Sequence, residues 1–305
     1  MNITNINVTP LHTAFEATSK SANKRGLRVT GSELVGLVPL KVMLDAGKYF
    51  LKKQRRSVGV SESELIKIAI KSLGLDELGD FDPQKKIIEY QLESPQSAHL
   101  LNMNLRGFAN ETASESPAPG GGSISAYVGS LGISLAAMVA NLSAHKRAWD
   151  DRWEEFSEWA DQAQILKDNL LKLVDEDTNS FNAIMEAFRL PKGTAAEKAN
   201  RSQAIQDATR YAIEVPFKVM EISMESLKVI KAMAEVGNPN SVTDAGVGAL
   251  CVRTAVHGAF LNVKINASGL KDKKFVNEVL KKGNAMLKQV DKQEKEILKI
   301  VNSKI

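Results

Sequence analysis

The sequence is short of several things, and each shortage closes off a class of protein. Of 305 residues only Cys251 is cysteine. No intramolecular disulfide can form, and a reducing, cytoplasmic setting is expected. The four histidines, His12, His99, His145 and His257, show no metal-ligand spacing. Neither a metal site nor a specific Ser–His–Asp or Cys–His set can be assembled from them. His257, within an apolar helical pattern, reads as a satisfied core histidine. Aromatic residues make up 6% and do not interleave with basic ones, as a platform for stacked bases requires. Charge of one sign is scarce too: 40 basic against 36 acidic residues leave +4, so no nucleic-acid partner is expected. The densest basic run, Lys48, Lys52, Lys53, Arg55 and Arg56, ends a helical pattern and reads as a solvated face. The opening MNITNINVTP has no basic region followed by an apolar one, so no leader is expected. One uncharged run, Ile124 to Leu142, nears the ~20 residues that span a bilayer. Ser125, Gly129, Ser130, Gly132, Ser134 and Asn141 dilute it, and it reads as a helix buried on all sides of a bundle, with no membrane partner.

What is present is ordinary in amount: 43% hydrophobic and 25% charged residues, enough to build a core without cross-links. Residues 1–90 mix two periods. Asn2 to Val8 alternates like a half-buried strand, and Leu27 to Leu34 reads as a second. Between and after them come helical patterns: one opened by Thr9-Pro10, one over Leu40 to Lys53, and one over Ser61 to Leu73 with a capping box at Ser61 and Glu64. Two strands are marginal as a sheet. The segment is therefore expected to be an incomplete α+β subdomain that has lost its sheet partners or takes them from a separate chain.

Residues 91–98, LESPQSAH, read as a linker. From 99 to 305 the period is helical, broken at Ser116 to Gly122, at Leu190 to Gly193 and at Gly237 to Asn240. Long helices with short connections imply a bundle, so the whole is expected to be mostly α. Pro216 falls inside the fourth pattern and should kink or divide it.

Four motifs in this region suit chemistry. Pro119-Gly120-Gly121-Gly122-Ser123 opens a helix, where glycines permit close approach and first-turn N–H groups can meet an anion; it is also a plain turn with Ser123 as cap. Asp177 lies in the apolar stripe of Leu166, Leu170, Leu173, Val174, Phe181 and Ile184. Facing a core raises its pKa toward acid–base use, unless a serine or backbone donor simply holds it. Asp175, two residues away, points elsewhere on a regular helix. Gly237 to Leu250, GNPNSVTDAGVGAL, crowds Asn240 and Asp244 at a helix start, where Asp244 equally suits a first-turn acid. Asn262 and Asn266 stand one turn apart in an apolar helix, suited to a flat heterocycle or to an interhelical hydrogen bond.

In this order, PGGGS, LVDEDTNSF, RLPKGT, VPFKV, GNPNSVTDAGVGAL and GAFLNVKIN, the motifs resemble the cyclodeaminase/cyclohydrolase family of folate enzymes over about 99–290. TPLHTAFE, VTGSELVGLVPLKVML and FDPQKKIIEY are similar to the C-terminal part of a formiminotransferase domain. The resemblance implies a helical-bundle cyclodeaminase domain over 99–305. It implies conversion of 5-formimidoyltetrahydrofolate to 5,10-methenyltetrahydrofolate with loss of ammonia, as in histidine degradation, and no cofactor beyond the tetrahydrofolate substrate. The family's general acid–base aspartate falls on Asp177, with Asp175 second. Gly120, Gly121, Gly122, Ser123, Asn240, Asp244 and Asn262 would bind substrate. Exposed lysines suit a polyglutamylated tail. The resemblance implies a homodimer or larger homo-oligomer. The apolar row Val276, Val279, Leu280, Met286, Leu287, Val290, Ile297, Leu298 and Val301 suits a helix–helix interface. The N-terminal formiminotransferase half with its catalytic histidine is missing, so transferase activity is not expected. Two alternatives stay open: a methenyltetrahydrofolate cyclohydrolase on the same fold, and a non-catalytic folate-binding or assembly module.

Overall fold

The computed structural model describes residues 3–92, 100–147 and 149–305. Two compact units divide the chain: Met1–Pro95 with Ser143–Asp161, and Gln96–Leu142 with Gln162–Ile305. Of the linker expected over 91–98, residues 93–98 lie outside the described residues, as does His99.

In the first unit, α1 (Leu11–Asn23), α2 (Leu40–Lys53) and α3 (Glu62–Leu73) are followed by two short helices, α4 (Pro83–Lys86) and α5 (Ile88–Leu92). Helices α2 and α3 bury Met43, Ala46, Phe50, Ile66, Ala69 and Leu73 together with Ile87. They approach closely because Gly47 has no side chain: a Cβ there would lie 2.3 Å from the Leu65 carbonyl oxygen. Ser61 caps α3 by accepting the Glu64 N–H at 3.3 Å. The segment 143–161 is tied in by side chains. Ser157 Oγ accepts the Val58 N–H at 2.9 Å, His145 Nε2 accepts that of Ser57 at 3.2 Å, and Lys48 pairs with Asp161 at 2.7 Å.

The α+β expectation is corrected here. Among the described residues no strand forms. Residues 3–8 and 27–34 are irregular, and Val8 and Leu27 are exposed. The nearest thing to a sheet is an isolated parallel bridge between Val38 and Ile87. Alternation sets which side chains share a face, but a strand also needs a neighbour for its ladder, and neither segment has one.

The second unit is all helix. It holds α6 (Leu105–Thr112), α7 (Gly121–Ala144), most of α8 (Trp153–Arg189), α9 (Ala195–Val236), a 3-10 turn (Pro239–Ser241), α10 (Val242–Ala267) and α11 (Lys273–Asn302). Helix α10 packs on α9 and α11. Helix α7 runs antiparallel to α10, meeting it where Gly132 faces Gly248; a Cβ on either would lie 2.8 Å from the other's carbonyl oxygen. Serines of α7 return their hydroxyls to their own helix, Ser125 to Gly121 at 2.6 Å and Ser130 to Tyr127 at 2.7 Å. That satisfies them inside an apolar setting.

Two expectations about burial change. Helix α7 and the stretch Pro239–Ala267 are each long and apolar enough to cross a membrane by composition, and both are half buried or more. Burial of α7 is nevertheless one-sided, since Leu131, Met138 and Leu142 are exposed. Conversely, the apolar row of α11 is used inside the chain. Val276, Val279, Val290, Ile297 and Val301 are buried, and the Phe260 ring fills the space beside Gly283. An amphipathic pattern shows that a face is covered, not by whom.

Pro216 does not divide α9, which is helical from Ala195 to Val236. Proline removes the N–H that would reach the carbonyl four residues back. That carbonyl, on Ala212, instead accepts the Asn266 side-chain amide at 2.7 Å. Asn266→Val should therefore cost about 1–3 kcal/mol, the penalty for an unsatisfied buried polar group. The cost should shrink in a Pro216→Ala background, where the helix supplies its own donor. A double-mutant cycle in denaturant reads the coupling directly.

Candidate active site

The glycine run places a carboxylate on a helix start. Helix α7 begins at Gly121, so the N–H groups of its first turn have no partner within the helix. Asp177, on α8, meets them. Its Oδ2 accepts the Ser123 N–H at 2.8 Å and the Ser123 hydroxyl at 3.1 Å. The hydroxyl also lies 2.9 Å from the Val174 carbonyl, one turn earlier on α8. Gly122 makes the approach possible: a Cβ there would sit 2.1 Å from Asp177 Oδ1.

A cleft of about 210 Å³ opens beside this carboxylate, lined by Gly120, Gly121, Asp177, Phe181, Asn262 and Asn266 among others. Gly121 stands against the Asn262 amide; a Cβ would lie 3.2 Å from its Nδ2. Asn262 donates to the Gly258 carbonyl at 3.0 Å and lines the cleft. Asn266 spends its amide N–H on Ala212, while Phe181 and Ile184 supply an apolar wall. The cleft thus offers a flat apolar side, amide groups and one carboxylate.

Burial pushes the Asp177 pKa up, and the two Ser123 hydrogen bonds oppose that rise. Desolvation penalises the charged form, whereas donors to the carboxylate favour it. The two alternatives read from sequence for this residue coexist, since a serine and a backbone donor hold it and it still borders a cleft.

The other site candidates divide. Gly120, Gly121 and Asn262 line the cleft, with Gly122 and Ser123 positioning its carboxylate. Asp175 is turned away, buried and accepting the Leu100 N–H at 3.0 Å. Two residues on a helix are about 200° apart, so it cannot share the cleft with Asp177. Asn240 and Asp244 are not brought there either. Asp244 precedes Asn262 by five turns of α10, about 27 Å along its axis. Within one chain their assignment to the same substrate site is corrected by that separation. His257 is held by Asp291 at 2.9 Å, which also pairs with Arg253 at 2.7 Å. Sequence reading missed Thr178, Ser180 and Ala212 as lining; the turn-spaced series Asp177, Phe181, Ile184 was the available signal for the α8 wall.

The second unit therefore defines a class: an all-α domain whose long helices enclose a carboxylate-floored cleft at a glycine-led helix start. Residues 104–285 match the family model described as formiminotransferase-cyclodeaminase, and residues 1–93 match that of the formiminotransferase domain. The chain belongs to the formiminotransferase-cyclodeaminase family. It is 36% identical to formimidoyltransferase-cyclodeaminase of Mus musculus over 96% of this chain and 54% of that protein. The chain thus spans about half the length of that relative. It is 33% identical to methenyltetrahydrofolate cyclohydrolase of Methylorubrum extorquens over 67% of this chain and 98% of that protein. The crystal structure of formiminotetrahydrofolate cyclodeaminase from Thermotoga maritima is similar with a TM-score of 0.56 and 25% identity, covering 66% of this chain and 98% of that one.

The raised Asp177 pKa has a consequence for stability. The folded state holds this proton more tightly than the unfolded chain, whose ordinary aspartate value is 3.8. The resulting stabilisation is complete below that value and is lost as pH rises through the folded pKa. Asp177→Asn should remove this fall and be no less stable than the parent at neutral pH. Denaturant midpoints measured from acidic to neutral pH check the sign.

Proposed function

We propose that this chain converts 5-formimidoyltetrahydrofolate to 5,10-methenyltetrahydrofolate and ammonia. The N10 amine attacks the carbon of the formimidoyl group in its protonated form, –CH=NH2+, and forms the new C–N bond. N10 then loses a proton, the departing nitrogen gains one, and the bond to that nitrogen breaks as ammonia leaves. One carboxyl group of raised pKa can serve both transfers, and such acid–base help is worth about 10²–10⁴-fold. The observation that carries the reading is the state of Asp177: anchored through Oδ2 by Ser123, partly desolvated, and lining the cleft. Phe181 and Ile184 would back the pterin, and Asn262 would meet its polar edge.

The cyclohydrolase reading draws on the likeness to the Methylorubrum protein. The match of residues 1–93 to a formiminotransferase domain favours the ammonia-releasing reaction, since a transferase of that kind makes its substrate. The products separate the two. Given 5-formimidoyltetrahydrofolate, the parent should yield methenyltetrahydrofolate and ammonia in equal amounts. Asp177→Asn should turn over about 10²–10⁴-fold more slowly while remaining folded. Hydrolysis of methenyltetrahydrofolate without any ammonia release from the formimidoyl compound would favour the cyclohydrolase.

Beyond the cleft, Lys192, Lys198, Arg201 and Lys271 line a groove of about 380 Å³. Four cations suit the carboxylates of a polyglutamate tail. Lys198→Ala with Lys271→Ala should raise KM several-fold for a polyglutamylated substrate and leave KM for the monoglutamate unchanged. Steady-state kinetics on the two substrates tests this.

A further inference from the structure

One hydroxyl in the cleft wall lacks its usual partner. Four threonines inside helices, Thr18, Thr112, Thr209 and Thr254, return their hydroxyls to the carbonyl four residues back, at 2.9, 2.7, 2.6 and 3.0 Å. That bond is the ordinary resting place of a helical threonine hydroxyl. Thr178, which follows Asp177 on α8 and lines the same cleft, does not make it. Its Oγ1 is buried and has no hydrogen-bond partner. The carbonyl four residues back is that of Val174, and it already holds the Ser123 hydroxyl at 2.9 Å. A carbonyl oxygen has two lone pairs. One takes the helix's own Thr178 N–H, so Ser123 and Thr178 compete for the other.

The Ser123 hydroxyl is itself divided. It lies 3.1 Å from Asp177 Oδ2 and 2.9 Å from the Val174 carbonyl oxygen, and it has one proton to give. A carboxylate is the stronger acceptor, because hydrogen bonds to an ionised group are about twice as strong as neutral ones. A neutral carboxyl has no such advantage over a helix carbonyl. The direction of the hydroxyl therefore follows the charge of Asp177. Among the described residues lining the cleft, Asp177 alone is charged. Helix α7 bears only Tyr127 as a titratable group, packed against Phe108 at 5.2 Å. On α8, Asp175 serves Leu100 and Glu176 is taken by Tyr211 of α9. On α10, His257 is held by Asp291 of α11.

We propose that Ser123 and Thr178 are a pair of positioning residues, a hydroxyl relay that answers each change in the protonation of Asp177. With Asp177 protonated, the Ser123 hydroxyl donates to Val174, and Thr178 stands without a partner. With Asp177 ionised, the Ser123 hydroxyl turns to Oδ2, and Thr178 turns to the vacated carbonyl. Val174 then always holds one hydroxyl, and the ionised form has one hydrogen bond more than the protonated form. The relay thus supports the carboxylate against burial, which favours the neutral acid. An acid that gives and takes a proton within one turnover needs its two forms close in free energy. The purpose of the relay rests on the function proposed above, whereas its existence is read in the free protein.

Carbon NMR of the protein labelled at its aspartate carboxyls follows this titration without substrate, with Asp177 identified by the resonance lost in Asp177→Asn. Thr178→Val keeps the shape of the side chain and removes its hydroxyl. It should raise the Asp177 titration midpoint by about half to one pH unit, the net worth of one hydrogen bond. Thr178→Ser keeps the hydroxyl and should stay near the parent. In a Ser123→Ala background the midpoint should start higher, and Thr178→Val should no longer move it, because Val174 is then open to Thr178 in both forms. That background also cancels any change in polarity made by the valine. An unmoved midpoint in Thr178→Val, or an equal shift in both backgrounds, would overturn the relay. Thr178→Ala reads the same difference if the valine disturbs folding. Turnover is the separate check. The acidic limb of kcat/KM should move to higher pH in Thr178→Val by the amount the NMR midpoint moves, and return in Thr178→Ser. Shifted midpoints in a protein without turnover would sink the functional reading and leave the relay standing.

Discussion

A carboxylate occupies the space that a side chain on Gly122 would need, and much of the second unit follows from that. The Asp177 side chain bonds the start of α7 through the Ser123 N–H and hydroxyl. The hydroxyl's contact with the Val174 carbonyl fixes α7 to α8 over a full turn. A helix start is electropositive and short of acceptors, so an acidic group is a natural partner there. The same contact buries the acid, and burial raises its pKa against the pull of its two donors. Structure and candidate chemistry thus use one group, which both holds the helices together and lines the cleft.

Around this anchor the helices approach by leaving atoms out. Gly121 admits the Asn262 amide, Gly132 and Gly248 bring α7 and α10 into backbone contact, and Gly283 admits the Phe260 ring. Pro216 leaves out a hydrogen and Asn266 replaces it, so α9 continues through a residue that ordinarily breaks a helix. Since Asn266 also lines the cleft, the repair of α9 and the shape of the site are linked through one side chain.

What was legible in the sequence differs by element. The cap at Ser61 is local and half of the expected box forms, with Ser61 Oγ accepting the Glu64 N–H; both halves are present at Thr194 and Glu197. The stripe through Asp177 turned it toward the cleft, because helical periodicity alone decides which face a residue takes. The strands expected at 2–8 and 27–34 do not form over the described residues 3–8 and 27–34. Alternation is a necessary sign of a strand and not a sufficient one, since a ladder needs a neighbour. The apolar row of α11 was correctly seen as a covered face, but its cover is α9 and α10. The turn at Asn240 and Asp244 was recognised as a polar motif, and only the length of α10 shows how far it stands from Asn262.

The sequence by itself determined the helices, their breaks, the glycine-led helix start and the inward turn of Asp177. These depend on neighbours within a few residues, where backbone propensity and a period of 3.6 act. The tertiary structure alone decided that Ser123 is the partner of Asp177 across 54 positions, that Asp175 serves Leu100, and that Asn266 answers Pro216. It also decided that α11 is spent inward while the α7/α10 face is left outward. Such pairings join residues far apart in the chain, and only the packing of whole helices sets which of the many compatible groups come within hydrogen-bond reach.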